Sequence, residues 1–265
     1  MLEVSASGFY KWMSRKNSSR QEKELQMIEK IRVIHSESQG TYGSPRVFRQ
    51  LGFDGIKVSK GKVERLMRIH RIQGKVKPRF RVTTNSNHSF QRFPNLVRRN
   101  FLTKQMNRVW VGDVTYIWSD EGWLYLAVVI DLYSRKVIGW SMDQKITAKL
   151  SVAALEMALL QRNPSQELIF HSDQGMEYAC YDFRNFSLSK GITQSMSRKG
   201  NCWDNAVAES FFHTLKSEIR GEKYATRACA RSRIFSWIEV FYNRQRIHST
   251  LGYRSPVAYE EETAS

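Results

Sequence analysis

The chain has 265 residues, 41% hydrophobic and 12% aromatic, which allows one catalytic domain with a sizeable core plus a smaller module and excludes a disordered chain. Its formal charge of +17 is unevenly placed: residues 1–100 carry 22 Lys and Arg against 7 Asp and Glu, whereas residues 101–265 carry 20 against 18. A basic amino-terminal part points to a polyanion, most often nucleic acid; the three scattered cysteines (Cys180, Cys202, Cys229) form no CxxC pair and argue against a zinc or disulfide framework; and the lack of an 18-residue apolar run or a signal-peptide core predicts a soluble, cytoplasmic protein with no membrane partner.

In chain order, VSASGFYKW near the start reads either as the last helix of a DNA-binding unit that begins further upstream or as a frayed terminus. Residues 20–37 read as an amphipathic helix with Leu25, Ile28, Ile31 and Ile34 on one face. GTYGSPRVFRQL gives a turn and a short helix with Pro45 near its first position. VSKGKVERLMRIHRI gives a helix capped by Ser59, with Val63, Leu66 and Met67 inward and Lys60, Lys62, Arg65, Arg68 and Arg71 outward. Short helices joined by tight turns, the last one basic, predict a helix-turn-helix variant over residues 1–73 whose final helix grips DNA. Residues 74–100 have two prolines, many cations and no acid, and read as a basic linker lying along a phosphate backbone.

From residue 101 the pattern changes. RVWVGDVTYIW alternates, WLYLAVVIDLYS is almost continuously apolar, and RKVIGWSMD alternates again, which predicts three antiparallel strands. Thr147 caps a helix that ends before Pro164. A short strand LIFHS, a helix over YACYDFRNFSLSKG, a strand ITQSM, a polar loop and a helix carrying Glu209 follow. The order β-β-β-α-β-α-β-α is that of the RNase H-like α/β fold, a mixed five-stranded sheet with helices on both faces, here over residues 101–222. Residues 223–265 read as a last helix, with Ile234, Trp237, Ile238 and Phe241 on one face, and a tail packed on or extending the core.

Three carboxylates stand out. Asp113 lies inside an apolar strand, where a charge is costly unless paired or metal-bound. Asp173 follows a strand at its carboxyl end, where α/β sheets place ligands. Glu209 sits on the helix after the last strand. Three acids together repel one another, and divalent cations resolve this: Mg²⁺ takes oxygen ligands, and two ions roughly 4 Å apart can activate a nucleophile and stabilise a leaving 3′ oxygen. The expected arrangement has Asp113 bridging both ions and Asp173 and Glu209 holding one each, with Mn²⁺ as a substitute. Asp131, Asp143 and Asp204 are competing acids. His171, two residues before Asp173, is either a DNA or metal-water contact or a satisfied interior histidine. Ser197 to Asn201, with Arg198, Lys199 and Asn201, is a candidate DNA clamp. Asn205 lies one turn before Glu209, and Arg244 and Arg246 in the tail complete the candidate DNA contacts.

The segments GTYGSPRV, WVGDVTYI, HSDQG, SMSRKGNCWDNAVAESFFHTLKSE and FYNRQRIHSTLGYRSPVAYE together resemble the integrase-like transposases of bacterial insertion sequences, in particular the second-frame product of the IS-three family. The resemblance spans residue 38 to the end. It implies an RNase H-like core with an Asp113, Asp173, Glu209 triad, and Mg²⁺-dependent cutting and joining at the terminal inverted repeats of a mobile element and at target DNA. It also implies a branched intermediate and then a circle that integrates, an oligomer on DNA, and fusion to or pairing with an upstream helix-turn-helix and leucine-zipper protein on the bacterial nucleoid. Against the family pattern, Gln174 stands where a cation often follows the second acid, and Glu177 adds an acid beside it. An RNase H-type nuclease, or a catalytically weak repressor derived from a transposase, is the competing reading.

Overall fold

The computed structural model describes residues 5–13, 18–75, 90, 92–164, 167–198 and 202–264. The expectations placed on Lys199, Asn201 and most of the linker fall outside them. The chain divides into two compact units, residues 1–75 and 76–265.

In the first unit, α1 (Ala6–Met13) buries no residue, and Phe9, Tyr10 and Trp12 are exposed. Helix α2 (Ser19–Glu37) opens with a reciprocal capping box between Ser18 and Gln21, which satisfies two backbone donors that a helix start leaves open. It packs on α3 (Ser44–Phe53) and α4 (Lys60–Ile69). Pro45 sits in the first turn of α3, and Ser59 caps α4 by accepting from the Lys62 backbone N–H. Ile28, Ile31, Ile34, Val47, Leu51, Val63, Leu66 and Met67 form the buried core. Leu25 does not join it and is 54% exposed. From Ile28 the buried stripe runs back four residues to Glu24, not three to Leu25, and Glu24 meets Arg65 of α4 in a close ion pair.

The second unit is built on a five-stranded sheet in the order β3-β2-β1-β4-β5. Strands β1 (Val109–Ser119), β2 (Gly122–Asp131) and β3 (Val137–Asp143) form the antiparallel meander. β4 (Ile169–Ser172) and β5 (Thr193–Met196) add on the other side of β1, parallel to it. One face is covered by α5 (Ala148–Arg162), α6 (Met176–Ala179) and α7 (Tyr181–Ser189). Trp110, Val129, Ile138, Leu155, Phe170 and Phe183 meet there. Helix α5 lies so close to β3 that a Cβ at Gly139 would stand 2.2 Å from the Ala154 carbonyl oxygen, so only glycine fits. The single helix expected over 178–191 is two pieces, because Cys180 is extended (φ −69°, ψ 161°) and breaks α6 from α7.

A 3₁₀ turn (Cys202–Asn205) leads into α8 (Ala206–Glu218), which touches β1; α9 (Arg227–Ser236) touches β1 and β2 and continues as a π-helical turn, Trp237–Tyr242. Phe211, Trp237 and Tyr242 stack edge to face or tilted, with centroids 4.8–5.6 Å apart. Each such ring is worth roughly 1.5–3 kcal/mol in burial. Asn243 just after the turn donates to the Val137 carbonyl (2.9 Å) and accepts from its N–H (3.0 Å), standing in for a neighbouring strand on the sheet's edge. Helix α10 (Pro256–Ala264) ties to the β2–β3 turn through Glu260, which takes Ser134, Lys136 and Arg162. Among the described residues no helix is long and apolar enough to cross a membrane.

Candidate active site

The register of the two central strands places the first two acids. Val111 of β1 is aligned with His171 of β4 in parallel pairing. Asp113, in the interior of β1, and Asp173, just past the end of β4, each follow two residues later, so continuing the register and the two-residue alternation brings them near each other on the same side. Glu209 lies in the first turn of α8, which packs against β1. All three are half-buried. The Asp113 carboxylate accepts from the Val114 N–H (2.8 Å), and Asp173 accepts from the Gly175 N–H (2.9 Å).

Electrostatics bind the acids into one group. Burial, then Asp173, holds the Asp113 carboxyl well above the usual carboxylate range; Glu177 and Glu209 push it the same way, and the Val114 N–H opposes them. Burial and Asp173 also raise Glu209. Glu177, near the start of α6, is pushed up to about 7 by burial and Asp173. Its carboxylate folds back over Gly175, where a Cβ would come within 2.6 Å of Oε1. The site therefore holds four mutually repelling carboxylates, one more than the triad. Lys216 was not foreseen. It follows Glu209 by seven residues, two turns on, and its Nζ stands 4.4 Å from the centre of the Tyr116 ring. Burial pushes its ammonium down, and Asp113 partly offsets this. The i, i+7 spacing from Glu209 was the available signal.

The donor set suits a hard divalent cation: oxygen ligands that carry negative charge. Among the described residues, however, no three His, Cys, Asp or Glu side chains are already closed to metal-holding distance. The acids are gathered but not drawn onto one point, as expected of like charges that repel one another.

The other candidate residues sort differently. His171 is fully buried, with Nδ1 2.8 Å from Ser195 Oγ and Nε2 2.9 Å from the Asp204 carbonyl oxygen. It is an interior tie and touches no solvent-facing surface. Arg246 is also interior: it is 4% exposed and pairs with buried Glu218 at 2.9 Å, so it cannot reach a phosphate. Arg244 is exposed. Asn205 is buried, and its Oδ1 has no hydrogen-bond partner among the described residues. Arg198 donates to Asp204 from its backbone N–H, Nε and Nη2 (3.1, 2.9 and 3.1 Å) while its side chain stays largely exposed. In the first unit, Arg68 and Arg71 are exposed, Lys60 is exposed beside Glu64 (3.6 Å), Lys62 is half-buried, and Arg65 is turned to Glu24. Of the competing acids, Asp131 is buried and receives the Asn107 and Tyr133 N–H groups, a structural role.

Comparison with known proteins follows the same division. Residues 21–80 match an HTH-like domain, and residues 103–202 and 190–256 match two integrase core domain families. A 31 kDa protein of insertion element IS600 from Shigella sonnei is 42% identical over 98% of this chain and 96% of its own length. The transposase InsF of insertion sequence IS3A from Escherichia coli is 38% identical over 99% and 92%. The catalytic core of HTLV-2 integrase, solved with magnesium, covers 58% of this chain and 95% of its own at 16% identity and a TM-score of 0.43.

Proposed function

This chain belongs to the IS3 family of insertion-sequence transposases, and from that premise we propose that it cuts and joins the ends of an insertion sequence, with Asp113, Asp173 and Glu209 as its acidic triad. The observation that supports this reading is the strand register, which pairs Val111 with His171 two residues before the first two acids, together with the packing on β1 of α8, which carries Glu209. Asp113, Asp173 and Glu209 would hold divalent metal, Mg²⁺ with Mn²⁺ as a substitute and two ions in the full site, which supplies Lewis-acid stabilisation of the attacking and leaving oxygens. The protein's own part is preorganisation. Backbone N–H groups of Val114 and Gly175 fix two of the carboxylates, and the strands and helix fix their spacing.

Lys216, lying across Tyr116 near Asp113, is placed to meet a phosphate of the reacting strand. Arg198 and Arg244 offer further exposed charge on this unit. Arg68 and Arg71 do so on the helical unit, with Lys60 and Lys62 beside them. The DNA partners are the element's terminal inverted repeats and the target. The enzyme works as an oligomer on that DNA, paired with or fused to the upstream product, in the bacterial cytoplasm on the nucleoid.

The test is incubation of the protein, alone and fused to the upstream product, with a labelled element end and Mg²⁺. Joined strands are expected. Cut strands that are never joined point instead to a nuclease, and DNA binding with neither product points to a repressor.

A further inference from the structure

We infer that Asp204 is a positioning residue for the reaction: it fixes the start of the Glu209 helix relative to the strand that ends in Asp173. This rests on the reading of those two acids as catalytic. Asp204 is fully buried in the 3₁₀ turn that feeds α8, five residues before Glu209. Its carboxylate is taken by two arginines from different segments. Oδ1 accepts from Arg99 Nε (2.9 Å) and Arg198 Nη2 (3.1 Å), and Oδ2 accepts from the Arg198 backbone N–H and Nε.

Its backbone carbonyl is tied to His171 Nε2, on β4 two residues before Asp173. The other ring nitrogen of His171 meets Ser195 Oγ on β5, and that hydroxyl also receives the Leu96 N–H (2.9 Å). The loop is pinned again where the Ser197 N–H donates to the Ser172 carbonyl and Gln174 Nε2 donates to the Ser197 carbonyl. One residue thus joins the segment at 96–99, the end of β4, the end of β5 and the beginning of α8. Acids that must close on a cation depend on such a frame, because their own charges drive them apart.

Asp204 also differs from a purely structural acid in what its loss would leave behind. Arg99 and Arg198 have side chains 47% and 62% exposed, so water can take over their charge when the carboxylate goes. Removing its charge should therefore disturb the site more than the fold.

The experiment uses the full chain as Asp204→Asn, and as the double variant Arg99→Gln with Arg198→Gln. Strand joining on element-end DNA is measured across DNA and Mg²⁺ concentrations, beside melting curves with and without Mg²⁺. The expected result for Asp204→Asn is a fall in kcat on the order of 10–100-fold with KM for DNA nearly unchanged, a higher Mg²⁺ midpoint, and an apo melting temperature lowered by the lost arginine pairs with a single cooperative transition kept. The double variant shifts kcat and the Mg²⁺ midpoint in the same direction and raises KM for DNA as well, because Arg198 also offers charge to DNA; its Mg²⁺ midpoint from melting decides the matter if Asp204→Asn does not fold. Unchanged kcat and an unchanged Mg²⁺ midpoint in either folded variant overturn the inference. If wild type joins no strands at all, the transposase reading fails, and the Mg²⁺ midpoint from melting still decides the positioning role: raised in the variants supports it, unmoved sinks it.

Discussion

Replacing Glu177 by Gln separates the charge repulsion of the site from its packing. Glu177 is half-buried, and burial and Asp173 move its carboxyl from 4.5 to about 7. Below about pH 4.5 the group is neutral in folded and unfolded chains and costs nothing. Between 4.5 and about 7 the unfolded chain has given up its proton and the folded chain has not, so the folded state binds more protons and stability falls as pH rises. Above about 7 the penalty is constant. At about 1.4 kcal/mol per unit it comes to about 3 kcal/mol, an order of magnitude rather than a precise figure. Glutamine keeps the shape and carries no charge, so Glu177→Gln should match wild type at acid pH and be more stable than it by up to about 3 kcal/mol at mildly alkaline pH. Chemical denaturation in chelator at several pH values measures this directly. Adding Mg²⁺ should narrow the gap, because a bound cation relieves the same repulsion in the wild-type protein. Parallel pH profiles for the two proteins would refute the four-carboxylate reasoning.

Other outcomes follow from the same structure. Mg²⁺ should raise the melting temperature of the wild-type chain, and Asp113→Asn should lose most of that rise, which differential scanning fluorimetry reads. Arg246→Ala removes one half of a buried ion pair and should cost about 3–5 kcal/mol in denaturation; equal stability with weakened DNA binding would return Arg246 to the DNA surface. Gly139→Ala forces a Cβ against the Ala154 carbonyl and should destabilise by at least about 1–3 kcal/mol, seen as a lower unfolding midpoint. Arg68→Ala should lower affinity for element-end DNA and flatten its salt dependence by up to about one unit in log–log slope; an identical slope places Arg68 away from phosphate.

Much of the fold was legible because its elements obey simple periods. The alternation of β1, the apolar run of β2 and the Ser59 cap all stand where the residues imply. Asp113 and Asp173 were recognisable as costly or exposed positions on strands, but their mutual alignment comes from the parallel pairing of β1 with β4, which no local pattern encodes. Residues whose meaning depends on distant partners were the ones misread. Arg246 looks like a surface cation until Glu218, 28 positions away, closes on it. His171 allowed two readings from sequence, and Ser195 and Asp204, by occupying both its nitrogens, bear out the interior one. Leu25 belongs to a helix face by one spacing, and the alternative spacing through Glu24 won because Arg65 answers it. The break at Cys180 has no strong sequence marker, since neither proline nor glycine stands there.

The central claim is that Asp113, Asp173 and Glu209 act together on the reacting phosphate. Its most direct test is strand joining by Asp113→Asn, Asp173→Asn and Glu209→Gln on a labelled element end in Mg²⁺, with DNA affinity measured on the same preparations. Each variant should bind the end about as well as wild type and join essentially none of it. Any one of the three joining strands at the wild-type rate contradicts the assignment.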